Sequence, residues 1–174
     1  LTMPLVTTKN LLLDAQKGHY AVGAFNIENM EMAQAVIQAG EESHSPLIIQ
    51  TTPSTLKYAS PSLFFSIVQS LAASSNIPVA MHLDHGASFD QCCQVIQAGY
   101  TSVMIDGSKL SFEENIQITK KVVETADCCS IPVEAELGTV GGKEDTHEVQ
   151  DKDALYTNPE RAKEFVERTG ISSL

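Results

Sequence analysis

The chain has 174 residues, a formal charge of −11 and 43% hydrophobic residues, an ordinary globular balance at a length that can bury one core. Its acidity argues against nucleic acid or an anionic membrane as partner, since both are gripped by clustered Lys and Arg, and the longest basic cluster is Lys120-Lys121. No apolar run approaches the ~20 residues that span a bilayer, and Leu1-Thr2-Met3-Pro4-Leu5 lacks a basic-then-apolar leader pattern; Met3-Pro4 looks like a natural start.

A leading helix is expected near residues 8–16. Short apolar, strand-like runs follow near 21–25, 47–49, 78–83, 102–105, 132–136 and 171–174. Helix-like stretches separate them near 31–42, 61–73, 89–98, 113–125 and 159–168. Ser88-Phe89-Asp90-Gln91 and Ser111-Phe112-Glu113-Glu114 fit the capping box, in which the Ser oxygen accepts a backbone N–H and the acid or amide reaches back. Asn158-Pro159 sets a good N-cap before a proline at the first helical position. Gly40 and Gly99 stand near helix ends, where left-handed C-caps belong. The cysteines form two adjacent pairs, Cys92-Cys93 and Cys128-Cys129, without the C-x-x-C spacing of a zinc or redox site. They suit a reducing compartment, with one of a helical pair turned inward.

Strand–helix repeats with continuous apolar strands imply a parallel sheet covered by helices. An open doubly wound sheet and a closed (β/α)8 TIM barrel compete. A barrel typically needs ~250 residues, so length favours the open sheet. The polar residues favour the barrel. Asn26, Gln50-Thr51-Thr52, Asp84-His85, Asp106 and Glu134/Glu136 all end successive apolar runs. In a barrel those ends converge on one mouth, whereas an open sheet gathers them mainly at one switch point. The expected fold is therefore an α/β TIM barrel, here truncated after about the sixth strand. The chain reads as one incomplete catalytic domain, the front three-quarters of a longer protein.

His82-Leu83-Asp84-His85 ends the third run with groups that hold metals and move protons near neutral pH. Strand alternation puts His82 and Asp84 on one face and His85 on the other, but both Asp84 and His85 can reach one cleft where a strand ends. The alternative is a pair of buried polar residues satisfied by hydrogen bonds. Glu134 and Glu136 share one strand face, and two carboxylates that close need a cation between them in a dry site; an exposed, solvated pair is the rival. The segment from Gly138 to Asp145 is glycine-rich and acidic, a lid or a plain turn, without the spacing of a phosphate-binding P-loop. Asp106 either joins a metal cluster or caps the next turn. Asn26 either binds substrate hydroxyls or caps the helix near Met30. His19, His44 and His147 read as solvated loop or helix-end residues. Lys57 and Lys109 lie outside the apolar strands that would depress a lysine toward Schiff-base chemistry.

Six stretches taken together resemble the class II, metal-dependent fructose- and tagatose-bisphosphate aldolases. They are Tyr20-Ala21-Val22-Gly23-Ala24-Phe25-Asn26, His82-Leu83-Asp84-His85-Gly86, Ser102-Val103-Met104-Ile105-Asp106-Gly107-Ser108, Phe112-Glu113-Glu114-Asn115, Val133-Glu134-Ala135-Glu136-Leu137-Gly138 and Gly141-Gly142-Lys143-Glu144-Asp145. Residues 154–159 look more like the tagatose branch and residues 138–142 more like the fructose branch. The resemblance implies a catalytic Zn²⁺ or another divalent metal, with a monovalent cation as a further expectation. By similarity His85 is a metal ligand, and Asp106 and Glu136 belong to an alternative or second metal position. Asp84 resembles the acid/base for the C4 hydroxyl, Glu144 the loop residue acting on the triose carbon, and Asn26 and Thr52 substrate contacts. The implied reaction is reversible cleavage of a ketohexose 1,6-bisphosphate to dihydroxyacetone phosphate and glyceraldehyde 3-phosphate, through a metal-stabilised enediolate. A cytoplasmic homodimer or homotetramer is the implied setting. The family's other two metal histidines and its phosphate loops lie beyond Leu174, so little activity is expected of these 174 residues alone. A non-catalytic barrel subunit, an inert fragment and a Schiff-base aldolase are the rival readings.

Overall fold

The computed structural model describes residues 5–139, 142–144, 147–149 and 156–174, with the backbone alone for 142–144 and 147–149. Helix α1 (Thr8–Gly18) leads into β1 (Gly23–Asn26), α2 (Met30–Ser43), β2 (Leu47–Thr51), a one-turn α3 (Thr55–Tyr58), α4 (Pro61–Ser74) and β3 (Val79–Gly86). Then come α5 (Phe89–Ala98), β4 (Ser102–Ile105), α6 (Phe112–Asp127), β5 (Val133–Ala135), a small antiparallel hairpin of β6 (Gly142–Glu144) and β7 (His147–Val149), and α7 (Pro159–Thr169). Strands β1 to β5 are all parallel and lie in sequence order. A doubly wound sheet reverses strand order at its switch point. This sheet has no reversal, so the open-sheet alternative falls.

Strand alternation gives the sheet two faces. Leu47, Ile49, Val79, Met81, Leu83, Val103, Ile105 and Val133 face the helices, where they bury Phe64, Val68, Val95, Val122 and Phe165. The other face is smaller and more polar. Ile48 and Ala80 meet Leu11 of α1, which plugs its amino-terminal end. His82, Ser102, Met104 and Glu134 continue that face toward the carboxyl ends.

The caps mostly follow the sequence. Ser111 and Glu114 form a full capping box on α6. Asn158 accepts from Glu160 and Arg161 at the start of α7, and Gly99 caps α5 with φ 109°. Ser88 accepts from the Gln91 N–H, but the Gln91 side chain reaches the N–H of Ala87 rather than that of the cap itself. Gly40 is not a cap. It lies inside α2, where a Cβ would come within 2.5 Å of both Ile77 and Leu47, so its role is close packing. His19 and His44 are the left-handed caps of α1 and α2, with φ 55° and 52°. Among the cysteines, Cys92 is buried in α5 whereas Cys128 and Cys129 at the end of α6 are both exposed, and all four are free. The run at 171–174 forms no named strand. It only begins to pair, through a Glu134–Ser173 bridge.

One irregularity positions the site. Leu83 pairs with Val103, but the next pair is Gly86 with Ile105. Three steps on β3 match two on β4, so β3 carries one extra residue, a bulge. His85 absorbs it with φ 51°. Gly86 then packs so closely that a Cβ would sit 2.3 Å from the Met104 carbonyl oxygen. Gly86→Ala must push β3 off β4. We expect it to lower unfolding free energy by about 1–3 kcal/mol, read as a lower urea midpoint at unchanged slope.

Candidate metal centre and catalytic cleft

A cleft of about 420 Å³ opens at the carboxyl ends of β3, β4 and β5. Asp84, His85, Glu134 and Glu136 line it, with Leu137 and Tyr156 at its margin. The bulge turns Asp84 and His85 into the same space, which strict alternation would forbid. His85 is the hub. Its Nδ1 lies 3.0 Å from Asp106 Oδ2 and 3.5 Å from Glu136 Oε2, and its Nε2 lies 3.9 Å from Asp84 Oδ1.

The electrostatics follow from that crowding. The hydrogen bond to Asp106 pushes the imidazole up to about 9, burial opposes this, and the charges of Asp84 and Glu136 reinforce it. Burial alone would raise Asp106. Hydrogen bonds from His85 and from the hydroxyl and backbone N–H of Ser108 outweigh it and hold the carboxyl down to about 2. Asp106 thus both joins the cluster and caps its own turn. The site concentrates negative charge and takes up a proton to balance it. A metal cation satisfies the same demand with unprotonated imidazole. His85, Asp106 and Glu136 each offer one ligand atom, all within 4.8 Å of one another. An imidazole and two carboxylates suit Zn²⁺ or a related divalent ion.

Asn26, the last residue of β1, donates from Nδ2 to Asp84 Oδ2 at 3.2 Å. The cap of α2 is Asn29 instead. Thr52 is not brought to this cluster. It is buried, and its hydroxyl bonds with those of Ser54 and Thr55. Glu144 lies in β6, and its side chain falls outside the described residues, as does that of His147 in β7. No lysine lines the cleft among the described residues. The sequence reading missed Asn115. This α6 residue is 1% exposed and donates to the Glu136 carbonyl at 2.8 Å, tying helix to carboxylate. A polar residue on the apolar stripe of α6, beside Ile116 and Thr119, was the available signal. Gly107 makes room for it, since a Cβ there would meet Asn115 Oδ1 at 2.2 Å.

Parallel strands in sequential order, with an acid–imidazole cluster at their carboxyl ends, are the arrangement of barrel enzymes. The sequence pattern described as fructose-bisphosphate aldolase class-II matches residues 6–174, and the chain belongs to that family. It is 45% identical over 177 residues to a fructose-bisphosphate aldolase of Staphylococcus epidermidis, covering 99% of this chain and 60% of that protein. It is 49% identical over 172 residues to the D-tagatose-1,6-bisphosphate aldolase subunit GatY of Klebsiella oxytoca, covering 99% and 61%. Among solved structures, the YdjI aldolase of Escherichia coli K12 superposes with a TM-score of 0.83 at 40% identity, over 96% of this chain and 62% of that one. Fructose-bisphosphate aldolase of Campylobacter jejuni gives 0.81 at 27%, over 98% and 55%. The fold is thus the parallel α/β arrangement of TIM-barrel aldolases, and the chain spans about 60% of the length of the curated relatives it matches.

Below the cluster, burial and the nearby His85 hold His82 down to about 3 from 6.5. A depressed histidine stabilises the native state above 6.5, and that stability is lost as pH falls, because the unfolded chain takes the proton first. From pH 6.5 to 4.5 this one group should contribute a loss of up to about 1.4 kcal/mol per pH unit. Urea midpoints should fall across that range, and His82→Gln should flatten the fall.

Proposed function

We propose that this chain carries the metal-binding and proton-transfer half of an aldolase that reversibly cleaves a ketohexose 1,6-bisphosphate to dihydroxyacetone phosphate and glyceraldehyde 3-phosphate. The observation that carries the reading is the convergence of His85, Asp106 and Glu136 within 4.8 Å, with Asp84 beside them. His85, Asp106 and Glu136 would hold Zn²⁺ or another divalent ion. Such an ion supplies a Lewis acid for the substrate's ketone oxygen, where negative charge grows.

The chain's own residues do the rest. Asp84 takes the proton of the C4 hydroxyl. The C4–O bond then becomes the aldehyde carbonyl, the C3–C4 bond breaks, and its electron pair stays with the ketone-bearing fragment. Glu144 delivers a proton to C3 of that fragment, and the reverse direction runs the same transfers backward. Asn26 holds one Asp84 oxygen by its amide N–H, which fixes the carboxylate and leaves Oδ1 toward the cleft side where His85 lies. Such orientation matters because a base acts only within hydrogen-bond reach of its proton. The hydroxyl contacts of Thr52 support a loop-shaping part rather than a direct grip on substrate. Relatives named for both fructose and tagatose bisphosphates support the ketohexose bisphosphate class and leave C4 stereochemistry open to either.

Aldol cleavage by a full-length protein carrying this sequence should vanish with a chelator and return with Zn²⁺. Borohydride added with substrate should leave it intact. Asp84→Ala should lower kcat by about 10²–10⁴-fold while metal stays bound, and His85→Ala should lose the metal. An Asp84→Ala variant with near-normal kcat, or inactivation by borohydride, would overturn the reading.

A further inference from the structure

Glu134 lies beneath the metal cluster, and no step above uses it. Its two carboxylate oxygens differ. Oε2 accepts from the Ser173 hydroxyl at 3.3 Å and stands 3.9 Å from His82 Nε2. Oε1 has no hydrogen-bond partner among the described residues. The side chain is 37% exposed and lines the cleft beside Asp84, His85 and Glu136.

A buried row of groups stands behind it. The Thr8 hydroxyl donates to Ser102 Oγ at 2.9 Å, and Ser102 Oγ lies 2.8 Å from His82 Nδ1. Thr8, Ser102 and His82 are all buried. Ser102 accepts from Thr8, so its own proton is free to go to His82 Nδ1. That leaves the ring hydrogen of neutral His82 on Nε2, facing Glu134. At 3.9 Å this is an electrostatic contact rather than a hydrogen bond, and a neutral N–H there attracts the carboxylate without cancelling its charge. A row serving only to fill the barrel interior has no need of a fixed tautomer or an open carboxylate oxygen.

We propose that Glu134 is a substrate-contacting residue whose Oε1 accepts a hydrogen bond from a carbon-chain hydroxyl of the ketose, and that His82, held by Ser102 and Thr8, is the positioning residue that aims it. This rests on the function proposed above and adds where the substrate lies. The wall of Asp84, Glu134 and Glu136 offers only acceptors, which suit hydroxyl donors and repel phosphate. The hydroxyl-bearing middle of the substrate therefore sits over β3 to β5, and both phosphates point away from them.

The test uses a full-length protein carrying this sequence, with metal content measured in every variant. Glu134→Gln and Glu134→Ala should raise KM about 10-fold or more with kcat little changed, the signature of a lost binding contact. His82→Leu should raise KM similarly, and His82→Leu with Glu134→Ala should be no worse than Glu134→Ala alone. His82→Gln, whose amide nitrogen falls near the Nε2 position, should restore most of the KM. A calorimetric titration of fructose 1,6-bisphosphate into Asp84→Asn protein separates the two readings. If Asp84→Asn protein binds no bisphosphate, the proposed function fails. If it binds equally well, within about twofold, with Glu134→Gln added, only the present inference fails. Loss of metal on Glu134→Gln, or additive effects at His82 and Glu134, would also overturn it. Glu134→Gln preserves side-chain shape, so its readout survives even if the alanine variant unfolds.

Discussion

One extra residue in β3 is the constraint on which the site depends. Without the bulge between Leu83 and Gly86, Asp84 and His85 would face opposite sides of the sheet. With it, a base and a metal-binding imidazole share a cleft. The bulge requires a left-handed backbone at His85, a non-glycine residue. Such conformations cost on the order of 1–3 kcal/mol and persist where the surroundings over-determine them. Here the close pairing of Gly86 with β4 and the hydrogen bond from His85 to Asp106 supply that restraint.

Charge is the second theme. Asp84, Asp106, Glu134 and Glu136 crowd one imidazole at the carboxyl ends of three strands. Such a cluster is stable only with a positive partner, because carboxylates in a partly dry site repel one another. The hydrogen bond to Asp106, opposed by burial and reinforced by the charges of Asp84 and Glu136, pushes His85 well above an ordinary histidine. His82, only three residues earlier, goes the opposite way because it is buried and His85 lies nearby. Two histidines of one strand thus serve opposite ends, one drawn toward charge and one kept neutral.

The layer behind the cleft explains how so polar a mouth is held in place. Asn115 reaches from α6 to the Glu136 backbone, and Ser108 grips Asp106 with both hydroxyl and backbone N–H. Helix α1 closes the opposite end of the inner face with Leu11 and starts the buried row at Thr8. Packing on the helix side fixes the strands, and their fixed register sets where each carboxylate ends.

The sequence by itself determined the order of the five sheet strands and the longer helices, most of the caps, and the barrel-like recurrence of polar residues after apolar runs. Those are local features: apolar periodicity, capping oxygens and proline positions act over a few residues and need no distant partner. It also singled out Asp84, His85, Asp106 and Glu136, as acids and imidazoles ending apolar runs and through the stretches that resemble a known family. Tertiary structure alone decided the rest. The bulge at His85, the packing role of Gly40, the turn of Thr52 into its own loop, and the reach of Asn115 to Glu136 all depend on residues far apart in sequence. No local propensity encodes a strand slipping by one residue against its neighbour, and that slip is what turned a list of candidate residues into a site.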